Sequence, residues 1–177
     1  MLRAALVRNR FGDANQMANA DINFDRDSRL RYADIDATTG KVLRDAWIWI
    51  KPELPRILEA FYAKVSAEPA LSKIIAGQQS RLKQAQTTHW ERLIGGGTFD
   101  AAYMDSVYKI GMAHKRIGLE PRWYMAGYKY ILNEIVTLAV GKYWWSPSKL
   151  RSVVRALNSA VMLDIDLAIS AYQDAIE

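Results

Sequence analysis

Cysteine is absent from this chain of 177 residues. That excludes disulfides and thiolate metal sites and accords with a reducing cytoplasm. Histidine is nearly as scarce, at two residues. No apolar run approaches the roughly 20 residues that a membrane span requires. The first ten residues carry Arg3, Arg8 and Arg10, but their apolar stretch, Ala4 to Val7, is too short for the core of a secretion signal. Phosphate loops, paired-carboxylate motifs, internal repeats and low-complexity tracts are all missing. The net charge of +5 is spread singly along the chain rather than clustered, so a nucleic-acid partner is not expected. The length suits one domain with a substantial core.

What is present is helical periodicity. Residues 1–25 lack it and read as a mobile arm, with a short helix expected over 24–32. From Thr38 onward apolar residues recur at steps of three and four. Thr38 or Thr39 is placed to cap a helix bearing Val42, Leu43, Ala46, Trp47 and Ile50. Pro52 suits the first turn of the next, whose stripe runs Leu54, Ile57, Leu58, Phe61, Tyr62, Val65 until Pro69. A short piece ends at Gly77. A helix over 80–94, with Leu82, Ala85, His89 and Leu93 on one side, is expected to break at Gly95–Gly97. Thr98 or Asp100 caps a helix carrying Tyr103, Val107, Ile110, His114 and Ile117, closed by Gly118. Pro121 opens a long helix with Tyr124, Tyr128, Ile131 and Ile135 inward. Ser146-Pro147 opens a last one, which keeps its stripe (Leu150, Val154, Leu157, Val161, Ile165, Ala168, Tyr172) to the C-terminus without a stop signal. The expectation is an all-α domain whose last helix leads on towards an output domain or coiled coil.

Chemistry concentrates on His114. A lone histidine in an apolar stripe is commonly a core residue bonded to a carbonyl. The sharper alternative is an axial ligand to haem, which needs an apolar slot, one imidazole and basic groups at its edge. Both readings fit the spacing. Arg81, Lys115, Arg116 and Arg122 are available for such an edge.

Several segments together resemble the globin-coupled sensors, bacterial proteins that join a haem-binding globin domain to a signalling output. They are Ala60-Phe61-Tyr62, Arg81-Leu82-Lys83-Gln84, Gly97-Thr98-Phe99-Asp100, and above all Ile110-Gly-Met-Ala-His114-Lys-Arg-Ile-Gly118-Leu-Glu-Pro121-Arg-Trp-Tyr124. The resemblance runs from about Leu30 to Glu177. It implies a globin-like fold over 26–177, with His114 as the proximal ligand of haem b. Tyr62 becomes the distal donor to bound O2, CO or NO, and Leu82 a distal apolar contact. Tyr124 becomes a proximal-side tyrosine. The residues themselves, on the helices around His114, offer Phe61, Val65, Leu82, Ile110, Met112 and Ile117 as potential slot walls. Ala85 stands where some relatives have a threonine, which leaves Tyr62 as the main distal donor. His89 is the rival iron ligand.

The function so implied is a cytoplasmic, non-enzymatic oxygen sensor of the aerotaxis or chemotaxis type. It would act as a homodimer through its C-terminal helices on a downstream signalling domain. Two other readings remain open: a haem enzyme (peroxidase-like or NO-detoxifying), and a haem-free helical interaction module.

Overall fold

The computed structural model describes residues 25–173, all of whose regular structure is helical. The expected arm over 1–25 and the last four residues fall outside the described residues, apart from Asp25. A short helix, α1, spans 25–32 and is tied to the last helix by Arg29, which pairs with Asp166 and reaches Ser170 at 3.3 Å.

Helix α2 (Ala37–Ile50) is capped by Asp36, not by the threonines. The Asp36 carboxylate accepts from the Thr39 backbone N–H at 2.8 Å, while the Thr39 hydroxyl accepts from the Asp36 N–H at 3.3 Å. Thr39 is therefore the returning partner of a capping box that starts earlier than the apolar periodicity indicates. Helix α3 (Leu54–Ala67) also starts later than expected: Pro52 stays in the turn and Pro55 takes the first-turn position. Pro69 both ends α3 and opens α4 (Pro69–Ile75), beyond which Gly77 adopts a left-handed φ of 72°.

Helix α5 (Gln79–Trp90) continues as a π-helical turn over Glu91–Gly96. The three glycines thus do not break the chain together. Gly95 and Gly96 remain helical and only Gly97, at φ 54°, turns it. Asp100 caps α6 (Ala101–Arg116) by accepting from the Tyr103 N–H at 2.8 Å, and Gly118, at φ 74°, closes it. Two long helices follow, α7 (Pro121–Tyr143) and α8 (Pro147–Gln173).

Helix α8 is the hub. It packs on α2, α6, α7 and the π turn, while α3 sits against α4, α5 and α7. Its buried face is Val153, Ala156, Leu157, Ala160, Val161, Leu163, Leu167 and Ala168. The stripe read from the sequence is shifted from this face, since Val154 and Ile165 lie on its flank. Small residues let backbones touch. A Cβ on Gly111 of α6 would stand 2.5 Å from the Ala168 carbonyl oxygen and 2.9 Å from the Ala171 Cβ. One on Gly95 would meet the Trp47 indole at 2.7 Å, and one on Gly40 the Gly97 carbonyl oxygen at 2.3 Å.

These contacts predict opposite outcomes for two chemically identical substitutions. Gly111→Ala overpacks the α6–α8 crossing, at a cost of about 1–3 kcal/mol that exceeds the ~1 kcal/mol gained in helix propensity. Gly141→Ala, whose added methyl meets nothing within 4 Å, gains about 0.5–1 kcal/mol. Urea midpoints should therefore move down for the first and up for the second.

Candidate functional site

A carboxylate lies at the centre of the fold. Asp164, on the buried face of α8, is fully buried, which is costly for a charge unless donors surround it. Three do. The Tyr103 hydroxyl, from α6, donates to Oδ1 and the Tyr128 hydroxyl, from α7, donates to Oδ2. His89 Nε2, from α5, lies 3.0 Å from Oδ2 and 2.9 Å from the Tyr128 oxygen. A carboxylate only accepts, so the bond to His89 places the proton on Nε2. The phenols of Tyr103 and Tyr128 are held well above the usual tyrosine range, by burial first and then by the Asp164 charge, and so remain donors.

The network extends to His114. The Tyr124 hydroxyl, also buried, donates to the Tyr128 oxygen at 3.2 Å. The ring of Tyr124 lies against the His114 imidazole, with centroids 4.9 Å apart and planes at 56°. Among the described residues Tyr124 is the one aromatic ring seated against His114. Its Nδ1 is buried with no hydrogen-bond partner, and among the described residues no side chain or carbonyl bonds the ring. Burial, assisted by the nearby His89, lowers its pKa from 6.5 to about 4. A core histidine would need a carbonyl partner, and the structure supplies none. A neutral imidazole with an unused nitrogen suits a metal-ligand role. Among the described residues no group of three or more carboxylate and histidine side chains could hold a bare ion.

Tyr62 is buried on α3, beside Phe61, with ring centroids 5.1 Å apart. Burial raises its phenol to about 12, so it is protonated at neutral pH. The nearby Gln86 side chain acts in the opposite sense and lowers it. The Trp90 indole N–H donates to the Gln86 side-chain carbonyl oxygen at 2.9 Å. Indole can only donate, so this bond fixes the amide orientation and leaves the Gln86 NH2 to donate elsewhere. Trp90 in turn lies 5.6 Å from the Tyr128 ring. A continuous path thus runs from Tyr62 through Gln86, Trp90, Tyr128 and Tyr124 to His114.

The remaining expected wall residues divide. Leu82, Val65 and Ile110 are half-buried and stand outside the core cluster, while Phe61 packs partly against it. Ile117 is 52 % exposed at the C-cap of α6. Ala85 is exposed, and the polar residue that reaches Tyr62 is its neighbour Gln86. Backbone packing between α5 and α6 is slight, since α6 leans on α8 and α5 on α3. These half-buried apolar residues and the lightly packed α5–α6 pair fit a flat apolar group held from the α6 side by His114. The sequence pattern gives no site role to Asp164, Tyr128, Tyr103 or Gln86. Asp164 leaves only a shared signal, as one of two acids, with Asp166, in the otherwise apolar stretch Val161 to Ala168 of the last helix. An open groove of about 540 Å3 lies elsewhere, between the start of α2 and α8, and its lining of Asp34, Asp36, Arg151 and Arg155 is polar.

The all-helical packing, with α8 against α2, α6 and α7, is a globin arrangement. The Protoglobin family model matches residues 23–177, and the chain belongs to that family. Among solved structures it is similar to the globin domain of a Geobacter sulfurreducens globin-coupled sensor, with a TM-score of 0.78 and 17 % identity, covering 83 % of this chain and 97 % of that one. At that identity the likeness establishes the globin fold.

The lowered His114 pKa makes a pH prediction. Between pH 6.5 and 4 the unfolded chain binds a proton at this position that the folded one refuses, so stability falls as pH falls through that window. The contribution is at most about 3 kcal/mol. Urea denaturation of the protein without added haem should lose most of that between pH 7 and 4, and His114→Phe should remove this component of the slope.

Proposed function

We propose that this chain is a haem-based gas-sensor domain that carries haem b on His114 and binds O2 or another diatomic gas. One observation carries the reading: a half-buried, neutral imidazole at the end of α6, whose buried Nδ1 has no hydrogen-bond partner. Membership of the Protoglobin family supports it, as does the likeness in fold to the globin domain of a globin-coupled sensor. When bound, haem would supply the iron at which a diatomic gas is taken up. The chain has no cysteine for a thioether link, so the group would be held without covalent attachment, as b-type haem is.

The protein's own residues divide the work. His114 presents a neutral nitrogen because its protonated form is disfavoured by burial. Tyr62 offers a phenol that burial keeps protonated. His89 is engaged by Asp164 and Tyr128, which argues against it as an iron ligand and against an acid–base role in an enzyme. The sensor unit runs from about residue 26.

Transmission would use the corner that follows His114. The Leu119 N–H donates to the His114 carbonyl at 3.0 Å, and the Tyr172 hydroxyl of α8 donates to the Leu119 carbonyl at 2.8 Å. Lys115 Nζ donates to the Tyr172 carbonyl at 3.0 Å. A displacement at His114 therefore meets α8 directly, and α8 would carry it to a downstream signalling domain in the cytoplasm. Pairing with a second copy through α7 and α8 is supported by apolar side chains that these helices and the turn between them leave exposed, Trp144 at 73 % and Trp145 at 66 % among them. No helix among the described residues is long and apolar enough to cross a membrane.

Ultraviolet–visible spectra of the purified protein, before and after haem addition and in the ferrous state under CO and O2, test the reading. The wild type should show a Soret band, His114→Ala should lose it and His89→Ala should keep it. Tyr62→Phe should release O2 roughly tenfold faster, the worth of one hydrogen bond of about 1–2 kcal/mol. A wild type that acquires no Soret band sinks the proposal and leaves the haem-free interaction module.

A further inference from the structure

We infer that Asp164 is a positioning residue for His114, acting through Tyr128 and Tyr124. The haem role of His114 rests on the function proposed for the chain, but the positioning itself is a property of this chain's own side chains.

Hydrogen-bond direction sets the order of influence. Asp164 Oδ2 accepts the Tyr128 proton, so the Tyr128 oxygen is left to accept from Tyr124. That pair of bonds fixes the Tyr124 phenol at its far end and sets the tilt of its ring. Among the described residues His114 Nδ1 has no hydrogen bond to choose a ring plane, and the Tyr124 ring, with centroids 4.9 Å apart and planes at 56°, is the one aromatic ring seated against it. The orientation of the imidazole is therefore set three residues away, on α8.

The other Asp164 bonds make the carboxylate a junction. Tyr103 belongs to α6, the helix that carries His114, so Asp164 holds that helix at its opposite end as well. His89 brings in α5. A neutral amide cannot serve all three partners. Asn at this position would accept on one side and present an N–H to a phenol or imidazole on the other. A hydrogen-bond donor facing Tyr128 would reverse the direction of the chain that ends on Tyr124.

The test is a double-mutant cycle on the protein without haem, read by nuclear magnetic resonance of 13C-labelled tyrosine and histidine rings. Asp164→Asn should move the signals of Tyr103, Tyr128, Tyr124 and His114. Tyr128→Phe should move Tyr124 and His114 while leaving Tyr103 in place. In the double variant the His114 displacement should equal that of Tyr128→Phe alone, because the path runs through one residue. A general loss of packing gives additive displacements instead, and additivity overturns the inference. So does an Asp164→Asn protein in which His114 and Tyr124 do not move. Should Asp164→Asn fail to fold, Tyr128→Phe decides, and an unmoved His114 there overturns the inference equally. After haem addition both single variants should shift the ferrous iron–histidine vibration at unchanged haem stoichiometry, and an unshifted vibration counts against the inference. If no variant, nor the wild type, takes up haem, the sensor proposal falls while the ring signals still decide the positioning role.

Discussion

The whole arrangement turns on burying one carboxylate. Taking Asp164 out of water is tolerable only because donors from α5, α6 and α7 converge on it. Each of those helices therefore has a polar reason to keep its rotation about its own axis, in addition to an apolar one. Hydrophobic burial alone is indifferent to small rotations, since many rotamers fill a given volume. The bonds to Tyr103, Tyr128 and His89 are directional, and they narrow the choice to a single setting.

The consequence at His114 is an unusual division of labour. A histidine in a protein interior usually has a ring nitrogen committed to a carbonyl or carboxylate, which fixes both tautomer and ring plane. Here Nδ1 is buried and unengaged, and a tyrosine ring supplies the orienting surface. Near Tyr62 the Gln86 amide is oriented in turn by Trp90. Each residue of functional interest is thus governed by a neighbour with no chemistry of its own to advertise.

That explains what was legible in the sequence. Helix order and the all-α class follow from apolar steps of three and four, and Asp100, Gly118 and Pro147 mark boundaries by local chemistry. Boundaries failed where a stronger local group stood nearby, as with Asp36 ahead of Thr38 and Pro55 behind Pro52. The run Gly95–Gly97 misled because glycine permits a break without requiring one, and a π turn absorbs two of the three. The placing of Tyr124 on the side of His114 was available only through the resemblance to the globin-coupled sensors. Asp164 was not legible, because its partners lie 75, 61 and 36 positions away. An acid in a helix reads as a solvated face until three other helices are known to cover it.

The bare backbone of Gly111 against Ala168 adds a mechanical property to this design. With no side chain between them, the two helices are already at closest approach at that point, so α6 can slide or tilt there but cannot move inward. Tyr103, two residues from the Ala101 end of the helix, is meanwhile bonded to Asp164. The helix is thus tied to α8 by a polar bond near its start and stopped by bare backbone near its end, and His114 lies only three residues beyond that stop, about 4.5 Å at 1.5 Å per residue.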